Sequence, residues 1–222
     1  MIAGVLFDLY ETLVTEQHVT PARASSLGVR LGLDAVAFRK AWKPQRARII
    51  RGQVSFVNAL LEIGAALGCR LDAELVRTLS DERRVEKAAL FQRFDPVAFE
   101  VLRQLRDQGC RLAVVSNCFA EDVEAWPQCP AAECFDTSVF SFEVGNAKPE
   151  RHIYLEATQR LGVEVSNAVF IGDGGDDELS GAERAGLRAA QATWFRGELA
   201  GLPRHIPRLS SWSGVLELAR AG

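Results

Sequence analysis

The sequence predicts an α/β protein, a doubly wound parallel sheet with an inserted helical segment. Three observations predict it. Five short apolar runs lack the alternation of a half-exposed strand, which is the pattern of strands covered on both faces. Helix-period segments precede or separate most of these runs, as right-handed crossovers between parallel strands require. Residues 15–90, directly after the first run, are helix-periodic throughout and contain no good strand run.

The first predicted strand is Ile2–Phe7, stopped by Asp8. In the insertion, Ala35–Arg51, Ser55–Leu67 and Ala73–Phe91 read as helices, punctuated by Gly28, Gly32, Gly52, Gly64 and Gly68. Pro44 is placed to kink or restart the first of them. Pro96–Gln108 follows, with Asp95 as N-cap, Val97, Val101, Leu102 and Leu105 on one face, and Gly109 as the stop. Arg111–Val115 and Thr137–Phe140 are the next strands. A helix over Glu150–Leu161 ends at Gly162, Ala168–Ile171 is the fourth strand, Glu178–Ala185 a helix ending at Gly186, and Arg188–Ala192 the fifth strand. Residues 1–14 and 91–222 are therefore expected to form the core domain, and 15–90 a helical domain hung on the first strand–helix connection.

The totals exclude several classes. A net charge of -3 gives no electrostatic footprint for nucleic acid, so no nucleic-acid partner is expected. The basic clusters Lys40–Arg51 and Glu82–Lys87 read as solvated helix faces. Cys69, Cys110, Cys118, Cys129 and Cys134 include no CxxC pair, which fits a reducing, cytoplasmic compartment. Cys118 has no histidine near it in sequence to make it a nucleophile. Asp8 interrupts the N-terminal apolar run, and no basic region precedes it, so a signal peptide is not expected. Nor is a membrane span, which needs about 18 consecutive apolar residues.

Three strands end in polar groups. The first finishes in Asp8, LAVV in Ser116 and Asn117, and AVFIG in Asp173. Strand carboxyl ends of an open parallel sheet share one edge, where ligands bind, so these residues can converge. Lys148 stands before Pro149 at a predicted helix start. GDGGDDE, residues 172–178, crowds Asp173, Asp176, Asp177 and Glu178 onto a glycine-rich turn. An acidic first helical turn explains it through the macrodipole; so does a hard-cation site built of carboxylate oxygens.

Taken in order, FDLYETLV, VVSN, the Lys148–Pro149 pair and IGDGGDDELSGA resemble the four motifs of the haloacid dehalogenase superfamily, whose members are mostly phosphatases. The resemblance runs over nearly the whole chain. It implies a Rossmann-like core with a first-type helical cap, an Mg²⁺ cofactor and a small phosphorylated substrate; the sequence leaves monomer or homodimer open. It also implies roles. Asp8 is the nucleophile that forms an aspartyl-phosphate. Mg²⁺ is held by Asp8, the backbone carbonyl of Tyr10, Asp173 and a second acid, with Asp177 favoured over Glu178. Lys148 adds positive charge, Ser116 and the Asn117 N–H hold phosphoryl oxygens, and Thr12 fixes the loop after the nucleophile.

This chain departs from that pattern at two places. Tyr10 stands where the phosphatases commonly carry the aspartate that works as general acid and base, and Glu11 replaces a small residue. A phenol with a pKa near 10 can donate a proton but is a poor base at neutral pH. Two other readings follow. Tyr10 is shared with the 2-haloacid dehalogenases, which use no metal, but those carry Ser and Asn where this chain has Asp173 and Gly175. A phosphoryl- or partner-binding protein that lost turnover is the other. Trp42, Arg39, Arg46, Arg48 and Arg51 lie on one helical stretch of the insertion and suit an anionic substrate. Core packing is the expectation for Phe119 and Trp126.

Overall fold

The computed structural model describes residues 2–17 and 24–221. Helices α1 (Ala24–Arg30), α2 (Ala35–Ile50), α3 (Phe56–Ala66) and α4 (Ala73–Phe91) follow strand β1 (Gly4–Phe7). Then come α5 (Pro96–Asp107), β2 (Arg111–Ser116), α6 (Ala120–Val123), β3 (Thr137–Phe140), α7 (Ser141–Val144), α8 (Arg151–Leu161), β4 (Ala168–Gly172), α9 (Glu178–Ala185), β5 (Arg188–Ala192), β6 (Arg208–Leu209) and α10 (Trp212–Ala221). All pairings between strands are parallel, in the order β3-β2-β1-β4-β5-β6. The five expected strands are present. β6 adds a sixth of two residues, too short to carry a periodic signal, and α6, α7 and α10 are further helices beyond those expected.

Successive residues of each strand face opposite sides of the sheet, and both sides are apolar. Val5, Phe7, Leu112, Val114, Val169 and Ile171 pack with Leu102 and Leu105 of α5 and Trp212 and Val215 of α10. Leu6, Ala113, Val115 and Phe170 pack with Ile153, Tyr154 and Ala157 of α8 and Leu179 and Ala182 of α9. Burial on both faces is why the runs carry no alternation. In α5 the buried stripe is Ala98, Val101, Leu102 and Leu105, while Val97 is exposed. That corrects the expectation for Val97: the i, i+3, i+4, i+7 face begins one residue later, and Val97 sits in the first turn beside the Asp95 cap.

The helices α1–α4 have a core of their own, built on Leu27, Phe38, Trp42, Phe56, Leu60, Ile63, Val76 and Leu79. Phe119, from the loop after β2, enters this cluster, with ring centroids 6.1 Å from Trp42 and 6.0 Å from Phe56. Trp126 belongs instead to the sheet's core and donates to Ser138 Oγ at 3.0 Å. Helix α2 runs through Pro44 without ending. One basic cluster departs from its expected wet face. Arg83 and Lys87 of α4 turn toward α6 and the loop after β1, where Arg83 pairs with Asp122 at 2.6 Å and Lys87 with Glu16. The reason is partnership: carboxylates wait on the opposing surface, and Phe119 offers its ring face to Arg83 at 4.5 Å.

Candidate active site

β1 lies at the centre of the sheet. Phe7 is paired with Val114 on one side and Ile171 on the other, so Asp8 leaves the middle of the carboxyl edge. Ser116 ends the neighbour on one side and Asp173 follows the neighbour on the other. The three polar strand ends, 165 residues apart at their extremes in sequence, line one cleft of about 260 Å³ together with Lys148 and Glu178.

Lys148 is the hub. Its buried ammonium donates to Asp8 Oδ1 and, at 2.5 Å, to Glu178 Oε2. The loop that carries it is held by Asn117, whose side chain accepts from the Lys148 N–H and donates to the Lys148 carbonyl, both at 2.8 Å. Sequence reading gave Asn117 a backbone role only; this reciprocal bracket has no local signal, because its partner lies 31 residues away. Pro149, expected in the first helical turn, precedes α8, and the Lys148–Pro149 bond is cis. Tyr154 of α8 donates to the Glu178 carbonyl at 2.7 Å and so fixes the start of α9.

The acidic turn sorts its own carboxylates. Asp176 and Asp177 both adopt positive φ, 51° and 58°, which turns the chain sharply before α9. Asp177 then points outward and pairs with Arg184 at 2.9 Å, more than half exposed. Glu178, buried, points inward. Asp8, Asp173 and Glu178 each offer an oxygen within 4.8 Å of the others. Asp177, the second acid favoured from sequence, lies outside this group and Glu178 lies within it: two left-handed residues carry the shorter side chain away from the cleft. Gly172 leaves room for this, since a Cβ there would lie 2.1 Å from Glu178 Oε1.

Asp8 and Glu178 share the one buried ammonium of Lys148, while Asp173 is met from the cleft mouth by Arg196 at 2.8 Å. Burial pushes the Asp8 carboxyl up, against the pull of Lys148. Burial and then the Asp8 charge push Glu178 up to about 8. For Lys148 burial alone would lower the ammonium, but Asp8 and Glu178 overcome it and hold it above its ordinary value. Carboxylate oxygens crowded in this way fit a hard divalent cation. Ser116 Oγ and Thr12 Oγ1 are buried and have no hydrogen-bond partner. Such groups are rare in folded proteins, and Ser116, which lines the cleft, is placed for a ligand to complete it.

Tyr10 differs from its expected use. Its hydroxyl donates to the Asp122 carbonyl at 2.6 Å, and Lys87 Nζ sits 4.0 Å from its ring centre. Burial, then the Asp122 charge, raises the phenol well above its ordinary value. Its proton is committed to the main chain. Glu11 takes positive φ, 60°, and closes the turn by accepting from Thr15 Oγ1 and the Glu16 N–H. Cys118 is buried and its thiol is pushed well above the ordinary value by that burial, so it supplies no nucleophile. Of the arginines on α2, Arg46 reaches this cleft. Arg48 pairs with Glu62 at 2.5 Å, and Arg51 with Glu150. Among the described residues no helix is long and apolar enough to cross a membrane.

The model of the haloacid dehalogenase-like hydrolases matches residues 2–186. A glyceraldehyde 3-phosphate phosphatase of Methanopyrus kandleri is 30% identical over 198 residues, covering 84% of this chain and 82% of that protein. A phosphoglycolate phosphatase of Caulobacter vibrioides is 32% identical over 194 residues, covering 83% and 76%. Among solved structures, a 2-haloacid dehalogenase from Pseudomonas syringae pv. Tomato superposes over the full length of both chains with a TM-score of 0.70 at 25% identity.

Proposed function

The chain belongs to the haloacid dehalogenase-like hydrolases, and we propose that within them it is a Mg²⁺-dependent phosphatase of a small phosphorylated metabolite, working through an aspartyl-phosphate on Asp8. The observation that carries this reading is the gathering of Asp8, Asp173 and Glu178 around Lys148, beside the unpartnered hydroxyl of Ser116. The phosphatase relatives support it.

Asp8 attacks phosphorus with a carboxylate oxygen, and the ester oxygen departs. Lys148 offsets the meeting of two anions, and Ser116 Oγ donates to a phosphoryl oxygen as charge builds there. Asp8, Asp173 and Glu178 would hold the cation, with the Tyr10 carbonyl as a further oxygen; when bound, it neutralises phosphoryl charge. Thr12 completes the nucleophile loop. Tyr10, already bonded to Asp122, contributes little acid or base catalysis, so acyl and aryl phosphates with good leaving groups are the favoured substrates. Residues 15–90 act as the cap over residues 1–14 and 91–222. Closing them together excludes water from the cleft.

The test is phosphate release from a panel of phosphorylated metabolites and aryl phosphates, with Mg²⁺ and with chelator. Release only with Mg²⁺ is expected; equal release in chelator rejects the reading. Tyr10 and the likeness to the Pseudomonas syringae dehalogenase favour a second reading, metal-independent dehalogenation. Halide release from 2-haloacids in chelator would establish it.

A further inference from the structure

Behind the motif residues stands a loop that the sequence reading did not single out, residues 193–197 after β5. It is fixed at several points. The Gly197 N–H donates to the Thr193 carbonyl at 2.9 Å. The Trp194 indole donates to the Thr12 carbonyl at 2.9 Å, on the nucleophile loop. Gln191, fully buried at the end of β5, donates both to the Asp173 carbonyl at 3.0 Å and to the Gly197 carbonyl at 3.3 Å. The bracket thus ties the backbone of Asp173 to the loop that carries Arg196.

Arg196 is set on Asp173 by that bracket. Its Nη1 donates to Asp173 Oδ2 at 2.8 Å, while Oδ1 accepts the Gly175 N–H at 3.0 Å. Each oxygen of this acid therefore already accepts one hydrogen bond. An ion gathered by Asp8, Asp173 and Glu178 must share or replace one of these bonds. The Gly175 N–H belongs to a turn of the backbone and does not leave. The guanidinium, 57% exposed at the cleft, is the partner with room to move away.

We propose that Arg196 is a resident counter-cation of this site: it neutralises Asp173 in the metal-free protein and is displaced when a divalent cation binds. The proposal rests on the metal reading given above. It follows that Arg196 weakens metal binding, because its bond to Asp173 must be given up, and that loading the site frees a guanidinium at the cleft mouth. A merely decorative surface arginine would have neither effect.

Calorimetric titration of Mg²⁺ into the metal-free full chain tests this without any turnover. The variants are Arg196→Gln and Arg196→Lys, with Asp8→Asn as reference, and thermal unfolding without metal checks that each is folded. Arg196→Gln is expected to bind Mg²⁺ about fivefold more tightly than the unaltered chain, since an exposed ion pair is worth at most about that factor. Arg196→Lys should fall between. Equal or weaker binding by a folded Arg196→Gln, with clear binding by the unaltered chain, overturns the counter-cation and leaves the metal reading standing. Absence of Mg²⁺ binding in every variant, the unaltered chain included, removes the metal reading and this proposal with it.

Discussion

Ser116 separates function from stability at a single atom. Its hydroxyl is buried with no partner, so removing it leaves nothing unpaired. Ser116→Ala is expected to keep or slightly raise the melting temperature while lowering kcat by about 10²–10³-fold, the cost of an oxyanion donor. A drop in melting temperature with unchanged kcat would place the hydroxyl in the fold instead. The two acids of the turn make a matched pair. Glu178→Gln should weaken Mg²⁺ binding by about tenfold or more, whereas Asp177→Asn, at an outward residue paired with Arg184, should change it less than about twofold. Titration of both variants decides it. Asp8 and Asp173 stood out because each follows a predicted strand, and Lys148 because it precedes a predicted helix. The choice of Glu178 was not. It depends on two residues at positive φ, which neither acid's identity announces.

Elements hold these residues at close quarters, and glycine marks where. Gly181 lies on α9 against the loop that carries Lys148. A Cβ there would stand 2.6 Å from Pro149 Cβ and 2.8 Å from both its Cα and its carbonyl oxygen. Backbone cannot yield as a side-chain tip can, so the loop must shift. Gly181→Ala should cost about 1–3 kcal/mol, as overpacking does, and lower kcat with it by displacing Lys148. Chemical denaturation and turnover together check this; a change in neither would show that the loop gives way freely. The helix itself was readable from periodicity and from its Gly186 stop. Its tight approach to Pro149 was not, because the contact joins segments 32 residues apart. The same limit applied to α4, whose basic run read as wet. Nothing local revealed that Asp122 and Glu16 would face it.

At the scale of the molecule, the Arg83–Asp122 ion pair ties the helical insertion to the sheet domain. Burial alone would raise the Asp122 carboxyl; Arg83 and Lys87 overcome it and hold it below its ordinary value. A carboxyl depressed in the folded state stabilises above its unfolded pKa, about 3.9, and the contribution is lost as pH falls through the folded value. Asp122→Asn should therefore cost about 2–3 kcal/mol at pH 7, somewhat less than for a fully buried pair. The gap between the two proteins should shrink as pH drops below about 4. A gap independent of pH would assign the loss to packing. The parallel sheet was implicit in the alternation of strands and helices, and the helical stretch in its missing strands; the strand order was not. How the two surfaces lock was visible only in three dimensions. The central claim, that the strand ends and Lys148 make one phosphoryl-transfer site on Asp8, is tested most directly by trapping the intermediate. The protein is mixed with Mg²⁺ and a reactive acyl phosphate, quenched in acid, and the peptide containing Asp8 is weighed. The account predicts the added mass of one phosphoryl group on Asp8, absent in chelator and in Asp8→Asn; turnover of the same substrate with no such adduct at any quench time would contradict it.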